Sequence, residues 1–397
     1  MPIVPTPHAS ARAECFVESV IREMTRVADA HGAINLAQGF PDFPAPEALK
    51  EAAVEALRAD INQYAVTWGA PSLRGALAEW LRRRRGVEVD PDTRITIVCG
   101  ATEGMIAAML GVLDPGDEIL IPEPFYENYG PDCILSGAQP RFVPLAEGFR
   151  LDPEALEAAV GPRTRAVVLN TPHNPTGRVF GREEIEGLCR LCHRHGLLLL
   201  TDEIYEEILY TGPHRTLLLE EGMDERTLVV SGASKTFSVT GWRIGWVISP
   251  ESLTSGVRKV HDFLTVGAPA PLQEAVARAL AWDDAFYDGL RAEYRARRDL
   301  LVRGLQEAGF RCETPEGAYY VMTDVASFLE PGEDDAAFAL RLVREAGVAT
   351  VPGSSFFADP ARGRTWIRFC YAKRLETLEE AVRRLGAWAS QRPACSS

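Results

Sequence analysis

Six short apolar runs, each rich in Val, Ile or Leu, recur before Ser249 with helical patterns between them. They are Arg94–Cys99, Glu118–Ile121, Ala166–Asn170, Leu197–Thr201, Thr227–Ser231 and Ile244–Ile248. Runs this short, without polar alternation, suit strands buried on both faces. Strand–helix alternation predicts an α/β fold: an open, mostly parallel sheet with helices on both faces. In such sheets a ligand sits beyond the carboxyl ends of the strands.

The helices between the runs carry their own punctuation. Pro46 marks a first helical position ahead of a helix over Glu47–Ala59. Ser72 is expected to cap a helix that runs to Arg82–Arg85 and stops at Gly86. Those arginines read as a solvated last turn that complements the helix dipole. After Ser249 the pattern changes. Long helices are expected over Glu251–Val266 and Pro271–Gly309, the second bent or broken near Trp282. Short strands follow at Tyr319–Thr323 and Thr365–Cys370, then a closing helix near Glu376–Ala389. The expected division is an N-terminal segment, residues 1–44, packing with a small α+β domain, residues 286–397, beside a large domain, residues 45–285. Irregular ends are expected before Ser10 and after Gln391.

Composition narrows the function. The 397 residues include 42 Lys+Arg and 56 Asp+Glu, a formal charge of −14. That balance argues against sequence-independent nucleic-acid binding, which needs clustered positive charge. It leaves room for an anionic ligand held by one Arg or a helix N-terminus. The most apolar stretch, Leu197–Leu200, is far shorter than the roughly 20 residues of a membrane span. Eight cysteines along so long a chain are too sparse for a disulfide scaffold and fit a reducing cytoplasm. Cys189-Arg190-Leu191-Cys192-His193 matches a haem-attachment pattern. Its place between Gly181 and the Leu197 run reads as an ordinary crossover helix, and no metal is expected.

Four clusters follow strand ends. Asp202, at the end of Leu197–Thr201, is either a cap for the next turn or a buried functional carboxylate. Lys235 follows Gly232-Ala233-Ser234, small residues that let backbone approach a ligand. It is either an ordinary loop lysine or an amine that burial keeps unprotonated and nucleophilic. Arg243, between Gly241 and Gly245, suits a fixed anion. Asn174, held by Pro175, offers an amide to a ligand oxygen. Cys99-Gly100-Ala101-Thr102 turns from a strand into a helix, whose free amides can cradle a phosphate. A Lys nucleophile, a buried Asp, an amide, an Arg and a helix start together suit pyridoxal phosphate chemistry.

With these motifs the chain resembles the fold-type I, pyridoxal phosphate-dependent aminotransferases of class I/II. It is most similar to the branch of kynurenine/glutamine and aspartate- or methionine-type transaminases. The matching stretches are Gln38-Gly39-Phe40-Pro41-Asp42-Phe43, Asn62-Gln63-Tyr64, Glu123-Pro124-Phe125-Tyr126, His173-Asn174-Pro175-Thr176-Gly177, Asp202-Glu203-Ile204-Tyr205, Ser234-Lys235-Thr236-Phe237-Ser238, Gly241-Trp242-Arg243 and Ile367-Arg368-Phe369. The resemblance implies that Lys235 carries the cofactor as a Schiff base and moves the substrate α-proton. Asp202 pairs with the ring nitrogen. Asn174 and Tyr205 bond the phenolic oxygen, and Tyr126 stacks on the ring. Ala101, Thr102, Ser234 and Arg243 hold the phosphate, with Tyr64 from a second copy. Arg368, with Asn174 and the Gly39 backbone, grips the substrate carboxylate. The implied protein is a cytoplasmic homodimer, acting on an L-amino acid and a 2-oxo acid in a ping-pong cycle.

Two departures stand out. Many relatives have Ser three residues before the lysine, where this chain has Gly232. The kynurenine/glutamine branch has a Phe-His pair where this chain reads Thr265-Val266-Gly267-Ala268-Pro269. A carbon–sulfur β-lyase, or other α-carbon chemistry, is the alternative on the same residues. A cofactor-sensing regulator would need a DNA-binding module, for which the residues before Phe16 are too few.

Overall fold

The computed structural model describes residues 9–16 and 18–391. The irregular ends expected before Ser10 and after Gln391 lie almost wholly outside them. A seven-stranded sheet runs in the order Ile95–Val98, Gly245–Ile248, Thr227–Gly232, Leu198–Asp202, Thr164–Asn170, Glu118–Glu123 and Gln139–Pro144. Gly245–Ile248 is antiparallel to both neighbours, and the other pairs are parallel.

All six apolar runs are strands of this sheet. Side chains alternate across a strand, so an all-apolar run feeds two cores. Leu198 and Leu200 join Met105, Ile121, Val168 and Val230 on one face. Leu197 and Leu199 join Leu120, Val167 and Leu188 on the other. The seventh strand, Gln139–Pro144, is an edge strand with mostly exposed or half-buried residues and two prolines. It therefore lacks the apolar signature. Cys189 and Cys192 point into the second core from helix Arg182–His195, and the His193 ring lies 2.9 Å from the Glu221 carbonyl oxygen. The segment is a crossover helix.

Beyond Ser249 the expected long helix is two, Ala270–Leu280 and Asp284–Glu307. The break falls at Ala281–Asp283, where the Asp283 side chain accepts from the Phe286 amide and starts the second helix. A three-stranded antiparallel sheet follows, in the order Val351–Pro352, Trp366–Cys370, Tyr320–Asp324. Ile34–Asn35 pairs with Val348–Ala349, which ties the N-terminal segment to this region. Strands of two residues are too short to show a period. No helix among the described residues is long and apolar enough to cross a membrane.

Two expectations need correction. Ser72 does not cap its helix, which starts at Pro71 with Ala70 ahead of it. Pro71 already suits the first position, and the Ser72 hydroxyl donates to Glu274 instead. Nor is the arginine run wholly solvated. Arg82 and Arg83 face Glu79 near solvent. Arg84 and Arg85 turn inward and meet Glu206 and Glu207, buried in the turn after Asp202. The helix end thus clamps the loop that carries Asp202 and Tyr205.

Candidate active site

Adjacent parallel strands bring Asn170 and Asp202 side by side at the sheet's carboxyl edge. The Asn170 amide donates to the Asp202 carbonyl at 2.8 Å, and its oxygen accepts from the Asn174 N–H at 2.7 Å. The loop bearing Asn174 is thereby fixed to the strand bearing Asp202. Asp202 Oδ1 accepts from the Ile204 amide at 3.2 Å, so the capping role is real, but the cap closes a turn and not a helix. Oδ2 accepts from the Tyr129 hydroxyl at 2.8 Å. Burial pushes this carboxyl up, while the Tyr129 hydroxyl, the Ile204 amide and the Lys235 charge pull it down; the net shift is upward.

Lys235 extends from the short helix Ala233–Thr236 into the same cavity, of about 270 Å³. Its Nζ donates to the Gly39 carbonyl at 3.2 Å, and no carboxylate lies within ion-pair distance among the described residues. Burial pushes the amine down to about 8. Near neutral pH such an amine reaches its nucleophilic form far more readily than an exposed lysine. Any side chain at Gly39 would have to push Tyr320 aside. A Cβ on it would lie 1.8 Å from the Tyr320 hydroxyl oxygen.

The same cavity has a part built for an anion. Helix Gly100–Val112 begins there, so the Ala101 and Thr102 amides are free. Gly100 has φ +81, and a Cβ on it would lie 2.4 Å from an Arg243 guanidinium nitrogen. Only glycine lets that cation lie against the helix start. Ser234 and Tyr126 line the same cavity. Gly232 is explained by packing: a Cβ there would meet the Ile244 carbonyl oxygen at 2.8 Å. Ser231 points away and donates to Glu206 at 2.6 Å.

Arg368 is fully buried behind the cavity wall. It donates to Asn174 Oδ1 at 2.7 Å and to the Ala37 carbonyl at 3.0 Å, and its Nε has no partner. Its guanidinium lies 4.0 Å from the Tyr320 ring centre. With its oxygen engaged, the Asn174 amide keeps its N–H₂ for a ligand. Tyr205 donates to the Tyr320 hydroxyl at 3.2 Å, and burial holds its phenol well above the usual range. Tyr64 is 86% exposed and does not line this chain's own cavity. His173 bonds Thr176 at 2.7 Å and burial pushes it down to about 3, so it stays neutral and structural.

Sequence reasoning missed Tyr129, Asn170, Tyr320 and Asp132. Tyr129 and Asp132 stand three residues apart on helix Tyr129–Ser136 and so share one face, a spacing that could have exposed them. Tyr320 had no local signal, because it reaches the site from the small sheet. A larger cleft, about 690 Å³, is lined by Phe149, Arg178, Cys312 and Trp366 and touches neither Lys235 nor Asp202.

Known proteins share this arrangement of elements. Residues 31–385 match the family described as aminotransferase class I and II. The chain belongs to that family. It is 41% identical to a probable N-succinyldiaminopimelate aminotransferase of Mycobacterium tuberculosis, over 97% of this chain and 99% of that one. It is 36% identical to a methionine aminotransferase of Escherichia coli, over 92% and 95%. The solved N-succinyldiaminopimelate aminotransferase of Mycobacterium tuberculosis superposes with a TM-score of 0.92 at 40% identity, covering 96% of this chain and 100% of that one. This aminotransferase transfers amino groups, as its relatives' names state, and the β-lyase alternative finds no support among them. Its fold is the expected α/β one.

Proposed function

We propose that this aminotransferase binds pyridoxal phosphate on Lys235 and moves the amino group of an L-amino acid to a 2-oxo acid. The observation that carries this is the buried Lys235 amine without an acidic partner, in one cavity with Asp202 and the Arg243–Gly100 anion cradle. The donor set fits the cofactor at three points: a free nucleophile for the aldehyde, a carboxylate for the ring nitrogen, and amides with a guanidinium for the phosphate. When bound, the cofactor supplies an electron sink for the carbon that loses its proton.

The chain's own residues do the rest. Asp202 would hold the ring nitrogen, braced by Tyr129. Ala101, Thr102, Ser234 and Arg243 would hold the phosphate. Asn174 and Tyr205 would bond the phenolic oxygen, and Tyr126 would cover the ring. Arg368, Asn174 and Gly39 would hold the substrate carboxylate and orient the α-carbon toward the Lys235 amine, which moves the proton.

The active unit is a homodimer in which Tyr64 reaches the second copy's phosphate. Exposed Tyr64, Val66, Trp68, Phe263, Leu264 and Val266 support this. The two segments are joined through Thr67 and His261, and so much adjacent apolar surface calls for a partner. The division into segments 1–44, 45–285 and 286–397 belongs to this reading. The seven described cysteines are free thiols, which supports a cytoplasmic setting. Borohydride reduction of the purified protein with pyridoxal phosphate should leave a pyridoxyl label on Lys235, read by peptide mass mapping. Label on another lysine overturns the assignment. A panel of amino donors against 2-oxoglutarate and pyruvate then reads the substrate.

A further inference from the structure

His261 touches no part of the cavity, yet it joins two parts that serve it. It projects from helix Glu251–Thr265 and is fully buried. Its Nδ1 lies 3.1 Å from both carboxylate oxygens of Glu103, and its Nε2 lies 2.9 Å from the Thr67 carbonyl oxygen. A carboxylate and a carbonyl only accept hydrogen bonds. Both ring nitrogens therefore donate, which makes the ring an imidazolium paired with Glu103. Glu103 stands in the first turn of helix Gly100–Val112. Its Oε2 also accepts from the Cys99 amide at 2.9 Å, the residue just before the Gly100–Thr102 cradle. Thr67 lies three residues beyond Tyr64, and the neighbouring Trp68 carbonyl accepts from Ile97 at 3.0 Å.

We infer that His261 is a positioning residue whose doubly donating ring locks the phosphate cradle to the Tyr64 segment, so that cofactor retention and pairing of the two copies rise and fall together. This rests on the cofactor and the homodimer proposed above. The groups facing the ring are few. Glu103 comes from the cradle helix and the Thr67 carbonyl from the Tyr64 segment. From its own helix come the Thr265 hydroxyl, 3.2 Å from Nδ1, and the Asp262 charge. The thiol of Cys99, the residue immediately ahead of the cradle helix, points to the Gly267 carbonyl. Arg258, one turn earlier, is turned to the Asp92 and Ile95 carbonyls. Burial disfavours the imidazolium, but the Glu103 hydrogen bond and charge outweigh it and raise the ring's pKa. The lock therefore needs the charged ring and is lost as pH rises through that raised value. A deprotonated Nδ1 would then turn a lone pair toward the Glu103 carboxylate.

The test uses the holoenzyme and its His261→Asn and Glu103→Gln variants. Pyridoxal phosphate dissociation and dimer dissociation, the latter by sedimentation, are measured between pH 6 and 9. In wild type both should weaken as pH rises. In each variant both constants should rise about tenfold or more at pH 7, with flattened pH profiles. Glu103→Gln removes the charge while keeping the shape, so it carries the test if His261→Asn does not fold. Variants that lose thermal stability but keep both constants and both profiles overturn the proposal, as does a change in one constant only. A wild-type protein that binds no cofactor, or stays monomeric, overturns the underlying reading as well.

Discussion

Two buried clusters of charge lie within a few residues of each other and are built on opposite plans. In the turn after Asp202, Glu206 and Glu207 meet Arg84, Arg85 and Arg291 at distances between 2.8 and 3.2 Å. Glu203, next to Asp202, is satisfied by His214 at 2.6 Å and by Thr201, Thr216 and the Leu217 amide. On the cavity side the charges lack such partners. Lys235 has the Gly39 carbonyl, Asp202 has a phenol in place of a cation, and Arg368 Nε and Asp132 Oδ2 have no partner. The closed cluster is scaffold, because breaking one of its pairs strands a charge away from water. The open cluster is a site, because its unmet bonding capacity is available to a ligand.

The largest effect expected from this contrast is catalytic. Lys235→Ala should lower turnover by at least about 10³-fold, since it removes the proton-transfer group. It should leave the melting temperature of the cofactor-free protein unchanged or higher, because it relieves a buried amine of its cost. Steady-state kinetics and calorimetry check both halves. A clear drop in melting temperature would move Lys235 into the closed class. Arg85→Ala should do the reverse. Glu206 would lose its cation while staying buried, at a cost of about 3–5 kcal/mol in denaturant unfolding. Glu207 keeps Arg84 and Arg291, so the damage should centre on the Glu206 side.

The open cluster was more legible in the sequence than the closed one. Lys235 and Asn174 follow strand ends among Gly, Pro or small residues, Asp202 ends an apolar strand and Arg243 lies between two glycines, and those are local signals. Arg85 with Glu206 spans 121 residues, and nothing near either residue announces the other. The arginine run therefore read as solvent-facing, which half of it is. The sheet was readable because its strands are buried on both faces. The edge strand Gln139–Pro144 and the two-residue strands were not, because their stability comes from neighbours and not from their own pattern. Tyr129 and Tyr320 fall in the same class, since each matters for what it reaches across the fold.

The next effect concerns pH. Burial holds the Lys235 amine at about 8. Below that value the reactive unprotonated fraction falls about tenfold per pH unit. The rate at which cofactor-free protein captures pyridoxal phosphate should therefore climb between pH 6 and 8 and level off above. Stopped-flow absorbance checks it. A rate still climbing at pH 10 would mean an ordinary, solvated lysine.

The smallest effect separates the clusters most cleanly. Asp132 is buried six residues after Tyr126, on helix Tyr129–Ser136, and lines the cavity. Burial first, and the Asp202 charge second, push its carboxyl up to about 8. The folded chain thus holds a proton there that the unfolded chain has released. Stability should fall as pH rises from the ordinary carboxyl range toward about 8. Asp132→Asn removes that penalty while nearly keeping the shape. It should raise the melting temperature of the cofactor-free protein by a few degrees at pH 8 and leave it little changed at pH 4. In the closed cluster, replacing Glu203 with Gln at pH 8 should lower it, because against the cost of burial His214, the Leu217 amide and Thr216 hold that carboxyl below its ordinary range, so its charge stabilises the fold. Two buried carboxyls a short distance apart would then answer the same neutralising substitution with opposite signs. If both melt lower, Asp132 has a partner that makes its charge useful, and the line between scaffold and site must be drawn elsewhere.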